Sequence, residues 1–340
     1  MTSARTVTLA VAGTGRIGAT HAATLACLPQ VDRLLLTDAD PDRAESVAAE
    51  LGAEAVADFD ALLAAEPTGV VVATPTDTHP DLVLRAVERG IPVFCEKPLA
   101  ADLAGTLAVV NRLRASTVPV QVGFQRRFDE GYRAARAAVD SGELGRLHAL
   151  RATTLDPAPP PADYLTRSGG LFRDCGVHDF DIVGWVTGRA IVEVYARGRG
   201  GDPMFAACDD VDSAAVILTL DDDTLVTVSL TRHNGAGYDV RLEVLGARSN
   251  IVVGLDERTP LHSAEPGRDG PALPPYPTFL DRFHRAYVEE LIAFVAVATD
   301  AMANPCTPDA ALEAFRVAEA CETSRRERRP VLVAEVAPQA

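Results

Sequence analysis

The rhythm of apolar and polar positions changes about a third of the way along the chain. Residues 6–12 (TVTLAVA) are almost continuously apolar, as a strand buried on both faces must be. A glycine-rich turn follows, and then a helix-like GATHAATLACL. Further apolar runs at 33–37, 68–73, 92–95 and 119–123 alternate with helix-period segments at 41–51, 59–65, 79–89 and 102–115. Strands apolar on both faces, each followed by a helix, predict a parallel sheet covered by helices, here a doubly wound domain over residues 1–123. Beyond Gly123 the order is different. A helix is predicted at 128–140, a strand at 147–154, a stiff extended DPAPPP loop at 156–161 and a helix at 170–185. Strand-like runs at 190–197, 213–220, 224–231 and 238–245, with a fifth at 249–254, have short connections such as Asp221-Asp222-Asp223. Short connections predict antiparallel pairing. A Pro/Gly-rich loop at 266–277 and helices at 278–299 and 308–326 close the chain. The expected class is α/β, with a parallel sheet in the first domain and an open, mainly antiparallel sheet in the second, residues 124–340.

Composition narrows the classes. With 340 residues, 47% hydrophobic and 24% charged, the chain has ample material for two cores and is neither disordered nor fibrous. No run approaches the ~18 apolar residues of a membrane span. Met1–Arg5 lacks the charged start and apolar core of a signal peptide. A net charge of −16 opposes non-specific binding to nucleic acid or to an anionic membrane. The six cysteines are scattered, with no CxxC or other metal spacing, so no metal site is expected; they read as free thiols in a reducing cytoplasm. Of the 32 cationic side chains only one, Lys97, is a lysine. Arginine cannot lose its proton in a protein, whereas a lysine can be tuned, so the position points to a site that needs an ammonium group.

The glycine turn reads Gly13-Thr14-Gly15-Arg16-Ile17-Gly18. A GxGxxG is weak evidence alone, but here it follows a predicted strand and opens a predicted helix, and Asp38 ends the next strand 20 residues past Gly18. That context predicts a Rossmann dinucleotide site. The glycines let the backbone approach a pyrophosphate, and the helix N-terminus supplies amide donors. Asp38 would accept from both ribose hydroxyls and repel a 2′-phosphate, which favours NAD over NADP. Ala73, Thr74, Pro75, Thr76 and His79 follow the third strand of the parallel sheet, at the carboxyl edge where ligands bind, and are expected on the nicotinamide side. Helix capping by Asp77 or Thr78 is an alternative use of the same turn.

Cys95-Glu96-Lys97-Pro98 ends the next strand, again at the cofactor edge, and places Glu96 and Lys97 there. In the second domain, Asp174 and His178 lie four residues apart within GGLFRDCGVHD; on an α-helix they would be ~40° apart and share a face. Oxidation of an alcohol needs a base for the hydroxyl proton, and histidine is the usual choice. A carboxylate beside it orients the ring, and an ammonium stabilises developing alkoxide charge. His178, Asp174 and Lys97 supply those three roles. Each residue taken singly also fits a surface position.

The run Gly13–Gly18, Asp38, Glu96-Lys97-Pro98, Asp174 and His178 resembles the glucose–fructose oxidoreductase/inositol dehydrogenase/rhizopine catabolism (Gfo/Idh/MocA) family over nearly the whole chain. The stretches VGFQRRFD from Val122, DPAPPP from Asp156, Ser168-Gly169-Gly170 and Gly237-Tyr238-Asp239-Val240 resemble its inositol 2-dehydrogenase branch. The resemblance implies NAD, a Rossmann domain at 1–123 and a substrate-binding and oligomerisation domain at 124–340. It implies a cyclitol or pyranose substrate whose ring hydroxyl becomes a ketone, and a homo-oligomer, tetramer or dimer, formed through the open sheet face. It makes His178 the acid/base, Asp174 its partner and a substrate ligand, and Lys97 the oxygen-binding cation. It adds Arg127, Asp156, Asn234 and Tyr238 as hydroxyl contacts, although Arg127 could instead pair with Asp129 or Glu130. The chain departs from the branch pattern at Thr153-Thr154-Leu155, which lacks an arginine before Asp156, and at Cys175-Gly176-Val177. A reductase of keto-sugars or keto-cyclitols in aminoglycoside-type biosynthesis would use the same residues in reverse, and a silent NAD-sensing regulator would keep only the fold.

Overall fold

The computed structural model describes residues 6–267 and 270–336. The reading of Met1–Arg5, and residues 268 and 269 of the proline loop, lie outside the described residues. By packing, the chain divides into two units: the part up to Gln125 with Arg285–Leu312, and Arg126–His284 with the part from Glu313.

In the first unit the strands are β1 (Thr8–Ala12), β2 (Arg33–Thr37), β3 (Glu54–Ala55), β4 (Gly69–Val72), β5 (Val93–Glu96) and β6 (Val120–Gly123). They form one sheet in the order β3-β2-β1-β4-β5-β6, every pair parallel. The order reverses between β1 and β4, which makes the crevice at their carboxyl ends a binding position. Helices α1 (Arg16–Cys27), α2 (Pro41–Leu51), α3 (Phe59–Ala64), α4 (His79–Glu88) and α5 (Leu103–Leu113) connect the strands. Asp40, Asp58 and Asp102 cap α2, α3 and α5, each side chain accepting a backbone N–H of the first turn.

A contiguous division at residue 123 is not what the packing gives. The helix His284–Ala298 joins the first unit, where Leu291, Phe294 and Val295 enter the core of Leu9, Val11, Val71 and Phe94. The reason is local: Gly69 opens β4, and a Cβ there would stand 2.9 Å from the Phe294 ring. Gln121 of β6 donates to the Glu290 carbonyl and fixes the same helix from the other end of the sheet.

The second unit carries β7 (Leu147–Leu155), β8 (Ile191–Arg199), β9 (Ser213–Leu220), β10 (Leu225–Thr231), β11 (Asp239–Gly246), β12 (Asn250–Val253) and β13 (Val331–Leu332). They form one sheet, β12-β11-β7-β10-β9-β8-β13, antiparallel except for the β7–β10 pair. Along β9 and β10 burial alternates strictly, so one face is core and the other, bearing Ile217 and Leu225, is open. Helix α6 (Glu130–Asp140), capped by Asp129, packs with α8 (Val177–Thr187) on the covered side. A short α7 (Ala162–Ser168) follows the proline loop.

The predicted single helix at 170–185 is a composite. Phe172–Gly176 is a five-residue π-helical turn, and α8 continues from Val177. A π turn closes i→i+5 hydrogen bonds and holds more residues per turn, so the ~40° offset expected between Asp174 and His178 does not carry over.

Candidate active site

In the first unit the glycine turn does what its sequence requires. Gly13 has φ +92°, and a Cβ there would meet the Ala73 carbonyl oxygen at 2.7 Å. A Cβ on Gly18 would fall 1.7 Å from the Gly13 oxygen, so only glycine lets α1 close onto the turn. Gly15 is different: a Cβ there would meet nothing within 4 Å. It is the N-cap of α1, and no side chain caps this helix. The space over Gly15 and the uncapped N-terminus fit the pyrophosphate of a dinucleotide. Arg16 and Ile17 begin the helix at this position.

Asp38 sits just past β2, its side chain 8% exposed. Its Oδ2 accepts from the Thr14 N–H at 2.6 Å and the Thr14 hydroxyl at 3.0 Å, and Oδ1 accepts from the Asp40 N–H at 2.9 Å. Burial by itself would raise this carboxyl, but those donors, with Arg43, outweigh it and hold the group below the ordinary carboxylate range. Asp38 is therefore an ionised acceptor fixed beside the turn. Thr14, buried, acts through Asp38 as well as through the loop.

After β4, Ala73, Thr74 and Thr76 are half-buried and Pro75 is exposed. The Thr74 and Thr78 hydroxyls bond each other at 2.6 Å. His79 lies inside this edge. It is buried, with Nδ1 2.8 Å from the Pro98 carbonyl oxygen and Nε2 2.9 Å from that of Thr74. The ring braces the two loops at the edge of the sheet. Glu96 ends β5 and Lys97 follows it, both half-buried, and the Lys97–Pro98 peptide is cis. Glu96 Oε1 lies 2.7 Å from Nε2 of fully buried His21 on α1, and Oε2 accepts the Lys97 N–H at 3.3 Å. His21, which the sequence reading did not single out, thus ties the helix behind the glycine turn to the residue before Lys97.

In the second unit the π turn presents Asp174 within a cluster. Oδ1 accepts from the Tyr164 hydroxyl at 2.9 Å and Oδ2 from Arg232 at 2.5 Å. The other arm of Arg232 donates to Asp156 Oδ2 at 2.6 Å. The side chains of Asp174, Asp156 and Arg232 are 11%, 20% and 8% exposed. This arginine reaches Asp156 from a different strand. β7 and β10 run parallel with Leu155 opposite Thr231, so the next residue on each, Asp156 and Arg232, emerge side by side. His178 lies in the first turn of α8, half-buried. Cys175 is buried between the acid and the histidine, and burial pushes its thiol well up, so it stays protonated.

The other hydroxyl contacts are placed differently. Arg127 has an acid partner far along the chain. Its Nε and Nη2 reach the two oxygens of Asp181 at 2.9 and 2.5 Å inside the unit, both side chains at most 10% exposed. Beside it Arg126 binds Asp179 and Thr154, all buried. These arginines hold α8 against the start of the unit. The Asn234 amide donates to the Gly237 carbonyl, and the Asn234 N–H to the Asp156 carbonyl, so Asn234 shapes the turn that ends beside Asp156. Tyr238 is buried, its hydroxyl held protonated by burial. Among the described residues no group of three or more His, Cys, Asp or Glu could hold a metal ion.

The turn, Asp38 and the 3-2-1-4-5-6 sheet define a dinucleotide-dependent oxidoreductase fold. A profile described as "Oxidoreductase family, NAD-binding Rossmann fold" matches residues 7–124, and one described as "GFO/IDH/MocA C-terminal domain" matches residues 132–252. Myo-inositol dehydrogenase Hyg17 of Streptomyces leeuwenhoekii is 42% identical over 94% of this chain and 97% of its own. Inositol 2-dehydrogenase of Rhizobium meliloti is 34% identical over 97% of this chain and all of its own. The crystal structure of scyllo-inositol dehydrogenase from Lactobacillus casei with bound NAD(H) and scyllo-inositol matches with a TM-score of 0.87 at 28% identity, covering 97% of this chain and 100% of that one. The chain belongs to the Gfo/Idh/MocA family of oxidoreductases. It is an NAD-dependent dehydrogenase acting on a CH–OH group.

Proposed function

We propose that the protein oxidises a ring secondary hydroxyl of a cyclitol of the myo- or scyllo-inositol type to the ketone. The observation that carries this is the Asp156–Arg232–Asp174 cluster with His178 in the next helical turn. Its largely buried carboxylates suit the several hydroxyls of a neutral polyol, each an O–H donor. The names of the relatives point the same way. NAD, when bound, supplies the hydride acceptor. His178 takes the hydroxyl proton. Asp174, held by Tyr164 and Arg232, accepts from a substrate hydroxyl and favours the protonated imidazole. Lys97 donates to the reacting oxygen and stabilises its negative charge. Asp38 holds the adenosine ribose. The protein acts in the cytoplasm, in keeping with cysteines that form no disulfide among the described residues. It assembles as a homo-oligomer through the open sheet face bearing Ile217 and Leu225.

The test is absorbance at the reduced-nicotinamide band with NAD and a panel of inositols, aminocyclitols and aldopyranoses. Turnover of one inositol stereoisomer supports the reading; silence on every inositol sinks it. Lys97→Ala and His178→Ala should each lower kcat by roughly 100- to 10,000-fold while NADH binding stays near wild type. Loss of NADH binding in both variants would make these residues structural.

A further inference from the structure

Two carboxylates share one guanidinium in the second unit. Arg232 reaches Asp156 at 2.6 Å and Asp174 at 2.5 Å, and all three side chains are four-fifths or more buried. Arg232 therefore places one positive charge between two acids. Charges this close and this far from water act strongly on a ligand, because screening is weak there. With the guanidinium in place, one carboxylate charge is cancelled and the oxygens still offer lone pairs. That suits neutral hydroxyls. Without it, the subsite would be more negative by one unit of charge, a change that favours an ammonium group. Arg232 also has no role in the main chain of the sheet that another residue could not fill. It stands at the first position past β10, where only its side chain enters the cluster.

We propose that Arg232 is the charge-setting residue of this subsite and makes it select a neutral polyol over an aminocyclitol. The inference deepens the cyclitol reading and rests on it. Arg232 is a positioning residue: it acts through Asp156 and Asp174, and its effect is read in the ratio of two substrates.

The probes are myo-inositol and scyllo-inosamine, an inositol with one hydroxyl replaced by an amine, assayed at about pH 7, where the amine is charged. The expected result is that Arg232→Gln shifts the kcat/KM ratio at least about tenfold toward the amine, and that added salt shrinks the shift. Arg232→Lys, which keeps the charge, should hold the ratio within about threefold of wild type. NADH binding, unchanged in both, checks the fold. Asp156→Asn, with Arg232 kept, should move the ratio the other way, and it serves as the test if Arg232→Gln does not fold. Equal losses on both substrates, with the ratio unmoved, would mean a merely structural arginine and overturn the inference. So would a lysine variant that behaves like the glutamine variant. A wild-type enzyme inactive on both substrates and on every inositol would instead overturn the functional reading and the inference with it.

Discussion

Removing the acid that holds Arg127 separates a structural arginine from a substrate-binding one. The pair is bidentate, with Nε–Oδ2 at 2.9 Å and Nη2–Oδ1 at 2.5 Å, and the side chains are 10% and 1% exposed. Asp181→Ala leaves the guanidinium buried without this carboxylate. Breaking a buried pair in this way costs about 3–5 kcal/mol, most of it the desolvation of the stranded charge. For a unit of this size each kcal/mol moves the unfolding temperature by roughly 2–4 °C, so the expected loss is roughly 6–20 °C. Arg127→Met strands the carboxylate instead and should cost a similar amount. The double variant Arg127→Met/Asp181→Leu removes both charges and should return most of the stability, since an apolar pair of similar volume is often neutral or better. Thermal unfolding followed by circular dichroism reads all three, and steady-state kinetics on the same samples reads KM. The reasoning fails if Arg127→Met unfolds within about 2 °C of wild type but raises the polyol KM sharply. Arg127 would then be a ligand contact and the Asp181 pair incidental.

Other consequences concern the cofactor turn. Asp38→Ala removes charged hydrogen bonds worth about 1.5–3 kcal/mol and should weaken NADH binding by roughly 10- to 150-fold, with less discrimination against NADPH; identical fluorescence titrations for variant and wild type would reject that role. The carboxyl of Asp38 lies below its ordinary value in the fold, so it stabilises the protein above about pH 4 and that contribution fades as pH falls through the lowered value. The unfolding temperatures of wild type and Asp38→Asn should therefore differ at neutral pH and converge in acid, and a gap that widens on acidification contradicts the sign. Gly18→Ala puts a Cβ 1.7 Å from the Gly13 oxygen and should abolish NADH binding or folding. Gly52→Ala, with φ +66° but nothing within 4 Å, should cost only about 1–2 kcal/mol and leave NADH binding intact.

What the sequence determined by itself is what short-range chemistry can encode. The glycine turn lies within six residues, its strand and helix on either side, and Asp38 at the end of the next strand. Each feature constrains its neighbours, so the parallel sheet, the cofactor class and the position of Lys97 were legible without coordinates. The strands of the second sheet were legible as well, because burial on one face imposes a period of two. Tertiary structure decided what depends on residues far apart. Only the parallel β7–β10 pairing brings Arg232 to Asp156 across 76 residues, which no local pattern announces. Only the packing of α8 gives Arg127 to Asp181, 54 residues away. The helix His284–Ala298 reads as the tail of the second domain until Gly69 and Phe294 are seen to meet in the first. The π turn at Phe172–Gly176 is not announced by a reading that assumes a 3.6-residue period, and in it Asp174 meets Arg232 and Tyr164. Local sequence fixes dihedrals and caps within a turn or two; which charged side chains meet is set by strand order and helix packing, where burial makes an unpaired charge too costly to leave.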